Sequence, residues 1–147
     1  MKLGFIGLGT MGGGMSLNLR RGGYEMVVHD LRHENAARHI EAGCEWGETV
    51  ADVGSQSDIV LTSLPGPKEV EAVALGEGGL LETLKPGSVW FDLTTNSPTL
   101  IRRLHALFAE KGIEVMDAPV SGGPSGANSG KLAIWVGGNE AVFNEHK

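Results

Sequence analysis

Six residues near the N-terminus, Gly7-Leu8-Gly9-Thr10-Met11-Gly12, constrain most strongly what this chain can fold into. An apolar run, Leu3 to Ile6, lies within a strand predicted at residues 2–6 just before them, and a helical pattern over about residues 11–22 follows. Strand, glycine turn and helix form the context in which G-x-G-x-x-G indicates a phosphate-binding turn. The first glycine turns the chain sharply, the second lets a pyrophosphate approach the backbone, and the third lets the helix pack on the strand.

A carboxylate stands where such a turn requires one. An acidic residue about 20 positions further on, at the end of a second strand, holds the ribose hydroxyls of a dinucleotide. Asp30 follows the apolar run Met26-Val27-Val28 and fits this place. Its charge accepts bonds from a ribose 2′-OH and repels a 2′-phosphate, which favours NAD as the cofactor over NADP. Arg32 could accommodate a 2′-phosphate, so NADP stays open as the less favoured cofactor.

Short apolar runs alternate with helical patterns along the rest of the chain. Strands are predicted at 25–29, 59–62, 89–91, 113–116 and 132–136. Helices are predicted at 33–42 and 49–54, around Val70 and Val73, from Pro98 up to Gly112, and from Asn139 onward. Near-continuous apolar strands are typical of a parallel sheet buried on both faces. The order predicts one α/β domain over residues 1–147, with a doubly wound, Rossmann-like, mostly parallel sheet and helices on both faces.

The carboxyl ends of the predicted strands share one property, since glycine, proline or short polar residues follow them. These strand exits are Gly7–Met11, Asp30, Ser63–Pro65, Asp92–Asn96 and Asp117–Gly123. Ligands of open α/β sheets bind at this edge, and small side chains leave them room. A strand terminator or a helix cap would explain each exit alone, but their coincidence favours one extended ligand site.

Composition excludes several classes of function. The formal net charge of −6 and the lack of a basic run argue against nucleic-acid binding. No apolar run reaches the length of a membrane span. The single Cys44 allows no internal disulfide and suits a reducing compartment, so we expect a cytoplasmic protein. His29, His33 and His39 lack the spacing of metal ligands, and we interpret them as part of a solvated helix face.

Several blocks of the sequence together resemble the β-hydroxyacid dehydrogenase family. That family includes 3-hydroxyisobutyrate dehydrogenase and is related to 6-phosphogluconate dehydrogenase. The resemblance covers essentially the whole chain, and Thr94 stands where the family usually has serine. It is carried by Phe5–Gly12 with Met15 and Asn18-Leu19, by Leu64-Pro65, by Asp92–Thr95 with Pro98, and by Asp117–Gly123.

The resemblance implies roles for particular residues. The expected dinucleotide contacts are Gly7, Leu8, Gly9, Thr10, Met11, Gly12, Asp30, Leu64, Pro65 and Thr95. The expected contacts to a substrate carboxylate are Ser121, Gly122 and Gly123. The family's catalytic lysine, its accompanying asparagine and a helical second domain lie beyond the position of Lys147. Lys85 and Lys131 do not stand in the lysine motif, so no catalytic residue is assigned within this chain.

The function implied is hydride transfer between a short β-hydroxy acid and a nicotinamide cofactor. We expect the full-length enzyme to be a homo-oligomer and this chain alone to be inactive. A non-catalytic nucleotide-binding or assembly module and an imine reductase remain alternatives, which the residue at the lysine position would separate. An S-adenosylmethionine methyltransferase also uses a glycine-rich first turn, but the Asp117–Gly123 block argues against it.

Overall fold

Six parallel strands form the central sheet of the computed structural model, which describes residues 2–94, 97–118, 120–121 and 133–134. They are β1 Lys2–Ile6, β2 Glu25–His29, β3 Glu45–Trp46, β4 Ile59–Thr62, β5 Val89–Asp92 and β6 Glu114–Asp117. Their order in the sheet is β3-β2-β1-β4-β5-β6. All five pairings are parallel. The doubly wound, Rossmann-like fold predicted from the sequence is therefore confirmed.

Helices connect these strands and cover both faces of the sheet. They are α1 Thr10–Arg21, a 3₁₀ helix His33–Ala36, α2 Ala37–Glu41, α3 Val50–Gln56, α4 Pro67–Leu75, α5 Leu80–Thr83 and α6 Pro98–Ala109. Local signals fix where two of them begin. Thr49 and Asp52 form a capping box before α3, with side chain and backbone bonding reciprocally at 3.1 and 3.2 Å. Ser97 caps α6, which has proline in its first turn.

The core consists of two apolar layers, one on each face of the sheet. Phe5, Met15 and Val28 belong to the layer under α1 and α2. Trp90 and Phe108 belong to the layer under α3–α6, where their ring centroids lie 5.1 Å apart. Strand residues alternate between the two layers, which explains the near-continuous apolar strands in the sequence.

Three features differ from the sequence prediction. β3 and α5 were not predicted, because two strand residues and one helical turn are too short to show a periodicity. The helix predicted at 33–42 is a 3₁₀ turn followed by the short α2. Of the strand predicted at 132–136, Ala133–Ile134 (β8) pairs antiparallel with Val120–Ser121 (β7), outside the main sheet. The helix predicted from Asn139 lies outside the described residues.

Candidate dinucleotide-binding site

A cleft of about 690 Å³ opens at the carboxyl ends of β1, β2 and β4. β1 lies between β2 and β4, so connections leave toward opposite faces of the sheet at this point. Such a switch point is where open α/β sheets bind their ligands. Residues from three of the predicted strand exits line the cleft, among them Gly7, Gly9, Gly12, Asp30, Leu64 and Pro65.

The three motif glycines have different steric surroundings. Gly7 has a positive φ of 99°, and a Cβ there would collide with the carbonyl oxygen of Ser63. A Cβ on Gly12 would collide with the carbonyl oxygen of Gly7. A Cβ on Gly9 would meet nothing within 4 Å, because that position faces open space in the cleft. The fold itself therefore requires Gly7 and Gly12, whereas Gly9 leaves room that the fold does not use.

The start of α1 adds an electrostatic feature to this space. Gly9 precedes the helix and offers no side chain to cap it, and no acidic residue lies in the first turn. The bond from Gly13 N to Gly9 O, at 2.8 Å, is the first of the helical series. N–H groups at a helix start lack intrahelical acceptors and carry partial positive charge. This end of α1 can therefore bind an anion such as a pyrophosphate.

Asp30 is held at the edge of the cleft by three N–H donors. Its Oδ1 accepts from Leu8 N at 3.1 Å, and its Oδ2 accepts from Arg32 N at 3.1 Å and Asn35 Nδ2 at 2.7 Å. A carboxylate offers about four lone-pair positions, so three donors leave capacity for a ribose hydroxyl. The bond to Leu8 also ties the glycine turn to β2, a role that the sequence alone did not indicate.

A second hydrogen-bonded group fixes the loop that follows β4. The hydroxyl of Thr94 accepts from Leu64 N at 3.0 Å, while Asp92 Oδ1 accepts from Thr94 N at 3.1 Å. Thr94 and Asp92 are both buried. Thr94 therefore caps the neighbouring loop, which holds Leu64 and Pro65 at the wall of the cleft.

Asp117 is the acidic residue beside Asp92 on the neighbouring strand β6. It pairs with Asp92 in the register of β5 and β6, at the edge where the ligand cleft opens. Burial and the neighbouring charge of Asp92 both raise the pKa of the Asp117 carboxyl. A carboxyl group with a raised pKa therefore stands just before the block predicted to bind substrate.

Only some of the predicted site residues lie together in the structure. Six of them line one cleft, as described above, and Leu8 donates its N–H to Asp30. Thr10 and Met11 begin α1. Ser121 lies in β7, whereas Thr95, Gly122, Gly123 and Lys131 lie outside the described residues. Asn35 was missed, although an amide five residues after the key carboxylate, on a turn, is a readable signal.

The solvated helix face predicted for three histidines is wrong for two of them. His29 and His39 are buried, because His29 ends the core strand β2 and His39 turns from α2 toward α1. Only His33 is exposed, and its ring stacks on Trp46 at 4.4 Å. Within the described ranges, no three His, Cys, Asp or Glu side chains converge as metal ligands would. No helix in that part of the chain is long and apolar enough to span a membrane.

Known proteins are similar to this chain in sequence and in fold. A 2-(hydroxymethyl)glutarate dehydrogenase of Eubacterium barkeri is 43% identical over 145 residues, covering 99% of this chain and 48% of the relative. An NAD-dependent L-serine dehydrogenase of Pseudomonas aeruginosa is 38% identical over 144 residues, covering 98% and 48%. The structure of Mycobacterium tuberculosis 3-hydroxyisobutyrate dehydrogenase with L-serine matches with a TM-score of 0.91 and 32% identity, covering 99% and 49%.

These matches define how much of the relatives is represented here. The chain spans about half the length of each relative that it matches. The family described as the NAD binding domain of 6-phosphogluconate dehydrogenase matches residues 2–147. The chain belongs to this family of NAD-binding domains, within the group of proteins similar to 3-hydroxyisobutyrate dehydrogenase.

Proposed function

We propose that this chain is the dinucleotide-binding half of an NAD-dependent oxidoreductase of the 3-hydroxyisobutyrate dehydrogenase type. The observation that carries the proposal is the unfilled space at Gly9, which lies beside the uncapped start of α1. A pyrophosphate fits there by charge and by size, since the backbone can approach it without a side chain in between.

The remaining contacts follow from the same cleft. Asp30 accepts bonds from the adenosine ribose, and its negative charge disfavours a 2′-phosphate. The loop with Leu64 and Pro65 contacts the dinucleotide from the opposite wall, and the family resemblance implies a further contact from Thr95. Arg32 also lines the cleft, which is why the choice between NAD and NADP needs a direct measurement.

The substrate we propose is a short acid with a hydroxyl group on its β carbon. The compounds in the names of the relatives share this chemistry. L-serine, 3-hydroxyisobutyrate and 2-(hydroxymethyl)glutarate all carry a hydroxymethyl group on the carbon next to a carboxylate. The family resemblance implies that Ser121, Gly122 and Gly123 would orient that carboxylate. With the cofactor bound, oxidation would transfer a hydride from the carbinol carbon to the nicotinamide, and the hydroxyl proton would go to a base, for which the family's lysine is the candidate.

Calorimetric titration of the purified chain with NAD tests the cofactor part of this proposal. Gly9→Val places a branched side chain in the pyrophosphate space, so we expect the Kd to rise more than about tenfold. The unliganded fold should survive, since a Cβ at this position meets nothing within 4 Å. Equal affinity of the folded variant and the parent chain would move the cofactor out of this cleft.

Two alternatives would use the same cleft. An imine reductase and a non-catalytic nucleotide-binding module would both bind a dinucleotide at Gly9. Assays of the longer protein separate the three functions: we expect oxidation of β-hydroxy acids by NAD. Reduction of cyclic imines without that activity would favour the imine reductase, and binding without either turnover would favour the module.

A further inference from the structure

A buried pair of polar side chains, His39 and Ser16, joins α2 to α1 outside the cleft lining. Both residues are fully buried. His39 Nε2 lies 2.7 Å from Ser16 Oγ and 3.2 Å from Gly13 O. Ser16 Oγ in turn lies 2.6 Å from Gly12 O. The two side chains therefore contact the carbonyl oxygens of Gly12 and Gly13, in the first turns of α1.

The direction of these hydrogen bonds follows from a count of protons. Ser16 has one hydroxyl hydrogen, and the 2.6 Å contact gives it to Gly12 O. Ser16 Oγ must then accept from His39, so the proton of the neutral imidazole lies on Nε2. His39 Nδ1 is buried and has no partner among the described residues, which fits an unprotonated nitrogen. A neutral histidine with a defined tautomer thus donates toward the helix.

The turn that receives these bonds is intrinsically weak. Residues 12–14 are all glycine, and each glycine in a helix costs up to about 1 kcal/mol relative to alanine. Gly12 cannot be replaced to strengthen the turn, because a Cβ there would collide with Gly7. The N–H groups to which we assign the pyrophosphate belong to the residues up to Gly12, because the Gly13 N–H already bonds to Gly9 O. External support from His39 therefore strengthens the start of the helix, where the fold itself excludes a side chain at Gly12.

The segment that carries His39 also touches the other half of the cleft. The 3₁₀ helix and α2 are continuous, and Asn35 within them donates to Asp30 at 2.7 Å. Asp30 in turn accepts from Leu8 in the glycine turn. One short segment thus holds the ribose carboxylate at one end and the pyrophosphate turn at the other.

We propose that His39 is a positioning residue for the dinucleotide, acting through Ser16 on the glycine turn at the start of α1. This inference rests on the proposed function, since it concerns the affinity of that same cleft. It assigns His39 no contact with the cofactor. The pair lowers the Kd for NAD by holding the N–H groups of the turn in their binding arrangement before the ligand arrives.

The test measures the Kd for NAD by calorimetry at pH 8, together with the thermal midpoint of each unliganded variant. His39→Leu removes the donor, and we expect the Kd to rise about threefold to tenfold, as for the loss of one neutral hydrogen bond. His39→Gln keeps an N–H donor on a side chain of similar reach, so we expect it to restore most of the affinity. His105→Gln, at a half-buried position of α6 remote from the cleft lining, is the matched control and should bind as the parent chain does.

Ser16→Ala provides a second variant if His39→Leu does not fold. Alanine has a higher helix propensity than serine, so the helix should not weaken through propensity. We nevertheless expect the Kd for NAD to rise about threefold or more, because the link from His39 to Gly12 is lost. A purely structural role predicts that affinity follows the thermal midpoint, and positioning predicts that it does not.

Each result decides the matter. Parent-like affinity in folded His39→Leu, or in Ser16→Ala, would overturn the inference while leaving the proposed function intact. Weak binding by His39→Gln equal to that of His39→Leu would also overturn it, since the donor would then not matter. A parent chain that fails to bind NAD at pH 8 would overturn the proposed function and this inference with it.

Discussion

At the residue scale, two glycines three positions apart have opposite roles. Gly12 is in contact with the backbone of the preceding strand turn, whereas Gly9 faces empty space. The G-x-G-x-x-G pattern predicts these roles, with close approach of a pyrophosphate at Gly9 and helix packing at Gly12. The structure adds the steric reason, because a Cβ collides with backbone at Gly12 and meets nothing within 4 Å at Gly9.

Substitutions at the two positions should therefore diverge. Gly12→Ala forces a Cβ against the Gly7 carbonyl, and we expect it to lower the free energy of unfolding by about 1–3 kcal/mol. Gly9→Ser is the matched control, because serine is a good N-cap and meets no steric obstacle; it should leave stability unchanged or raise it by less than about 1 kcal/mol. Urea unfolding of the unliganded variants measures both effects, and equal stability of the two would contradict this assignment.

The cofactor preference depends on another single residue, Asp30. Asp30→Asn removes the negative charge and sets an amide against the donors of Arg32 and Asn35. We expect the ratio of NAD affinity to NADP affinity to fall about tenfold or more, because a charged hydrogen bond to the ribose is lost and repulsion of the 2′-phosphate is relieved. Parallel titrations with both cofactors measure the ratio. Tighter binding of NADP by the parent chain would reverse the assignment and direct attention to Arg32.

At the element scale, neighbouring strands are joined by buried side chains as well as by backbone ladders. Thr62 of β4 accepts a hydrogen bond from Trp90 Nε1 and donates one to Asp92 Oδ1, both at 2.9 Å. All three residues are fully buried. One hydroxyl thus satisfies two polar groups of β5 that would otherwise face an apolar core.

Removing that hydroxyl should lower the free energy of unfolding by more than the small size of the group suggests. Thr62→Val conserves shape but leaves the Trp90 N–H without an acceptor, so we expect the free energy of unfolding to fall by about 1–3 kcal/mol. Thr62→Ser keeps the hydroxyl and loses only a methyl group, which makes it the matched control. Valine as stable as serine here would show that the bonds contribute nothing net.

The contact between α1 and α2 predicts a dependence of stability on pH. Burial lowers the pKa of His39 below its ordinary 6.5, and nearby Arg38 lowers it further, while the Gly13 carbonyl opposes them. Below pH 6.5 the unfolded chain therefore takes up a proton that the folded chain does not. Stability is lost as the pH falls from 6.5 toward the folded pKa, by at most about 1.4 kcal/mol per unit.

Comparison of two chains isolates this effect from other titrating groups. His39→Gln does not titrate, so the difference in unfolding free energy between it and the parent should change between pH 7.5 and pH 5.5. The parent should lose more stability on acidification than the variant. A difference that stays constant with pH would mean that His39 titrates alike in the folded and unfolded states.

At the scale of the whole molecule, the sequence predicted the strands that form clear apolar runs and missed the shortest strand and helix. Strands 25–29 and 59–62 were predicted with the bounds the structure has, because buried parallel strands are continuous apolar runs. The two-residue β3 and the four-residue α5 lack a period, so they escaped prediction.

The candidate site divides in the same way. Glycine spacing and the terminal Asp30 predicted the cleft, because their chemistry is tied to fixed distances along the chain. His39 was misread as solvated because its partner Ser16 lies 23 residues away, and burial depends on how helices pack together. Contacts of that range are set by tertiary structure and leave no mark in local periodicity.

The last prediction concerns the activity of the whole chain. Oxidation of an alcohol releases a hydroxyl proton, and a positioned base contributes about 10²–10⁴-fold to the rate. Within the described part of the chain, Asp117 is not among the residues that line the cleft, and Asp92 is already bonded to Thr62 and Thr94, so neither carboxyl group is placed to accept that proton. Residues 1–147 should therefore bind NAD yet show no dehydrogenase activity on 3-hydroxyisobutyrate or L-serine, measured as NADH absorbance.

A longer chain with the family's lysine region should regain that activity, and replacement of its lysine by alanine should abolish it. Lys131→Ala and Asp117→Asn in residues 1–147 are the variants that test the alternative within the shorter chain. Turnover by residues 1–147 that either substitution removes would place the general base in this half of the protein. The role of the second half would then be to exclude water and orient the acid, since both halves of such a cleft normally close over the reacting groups.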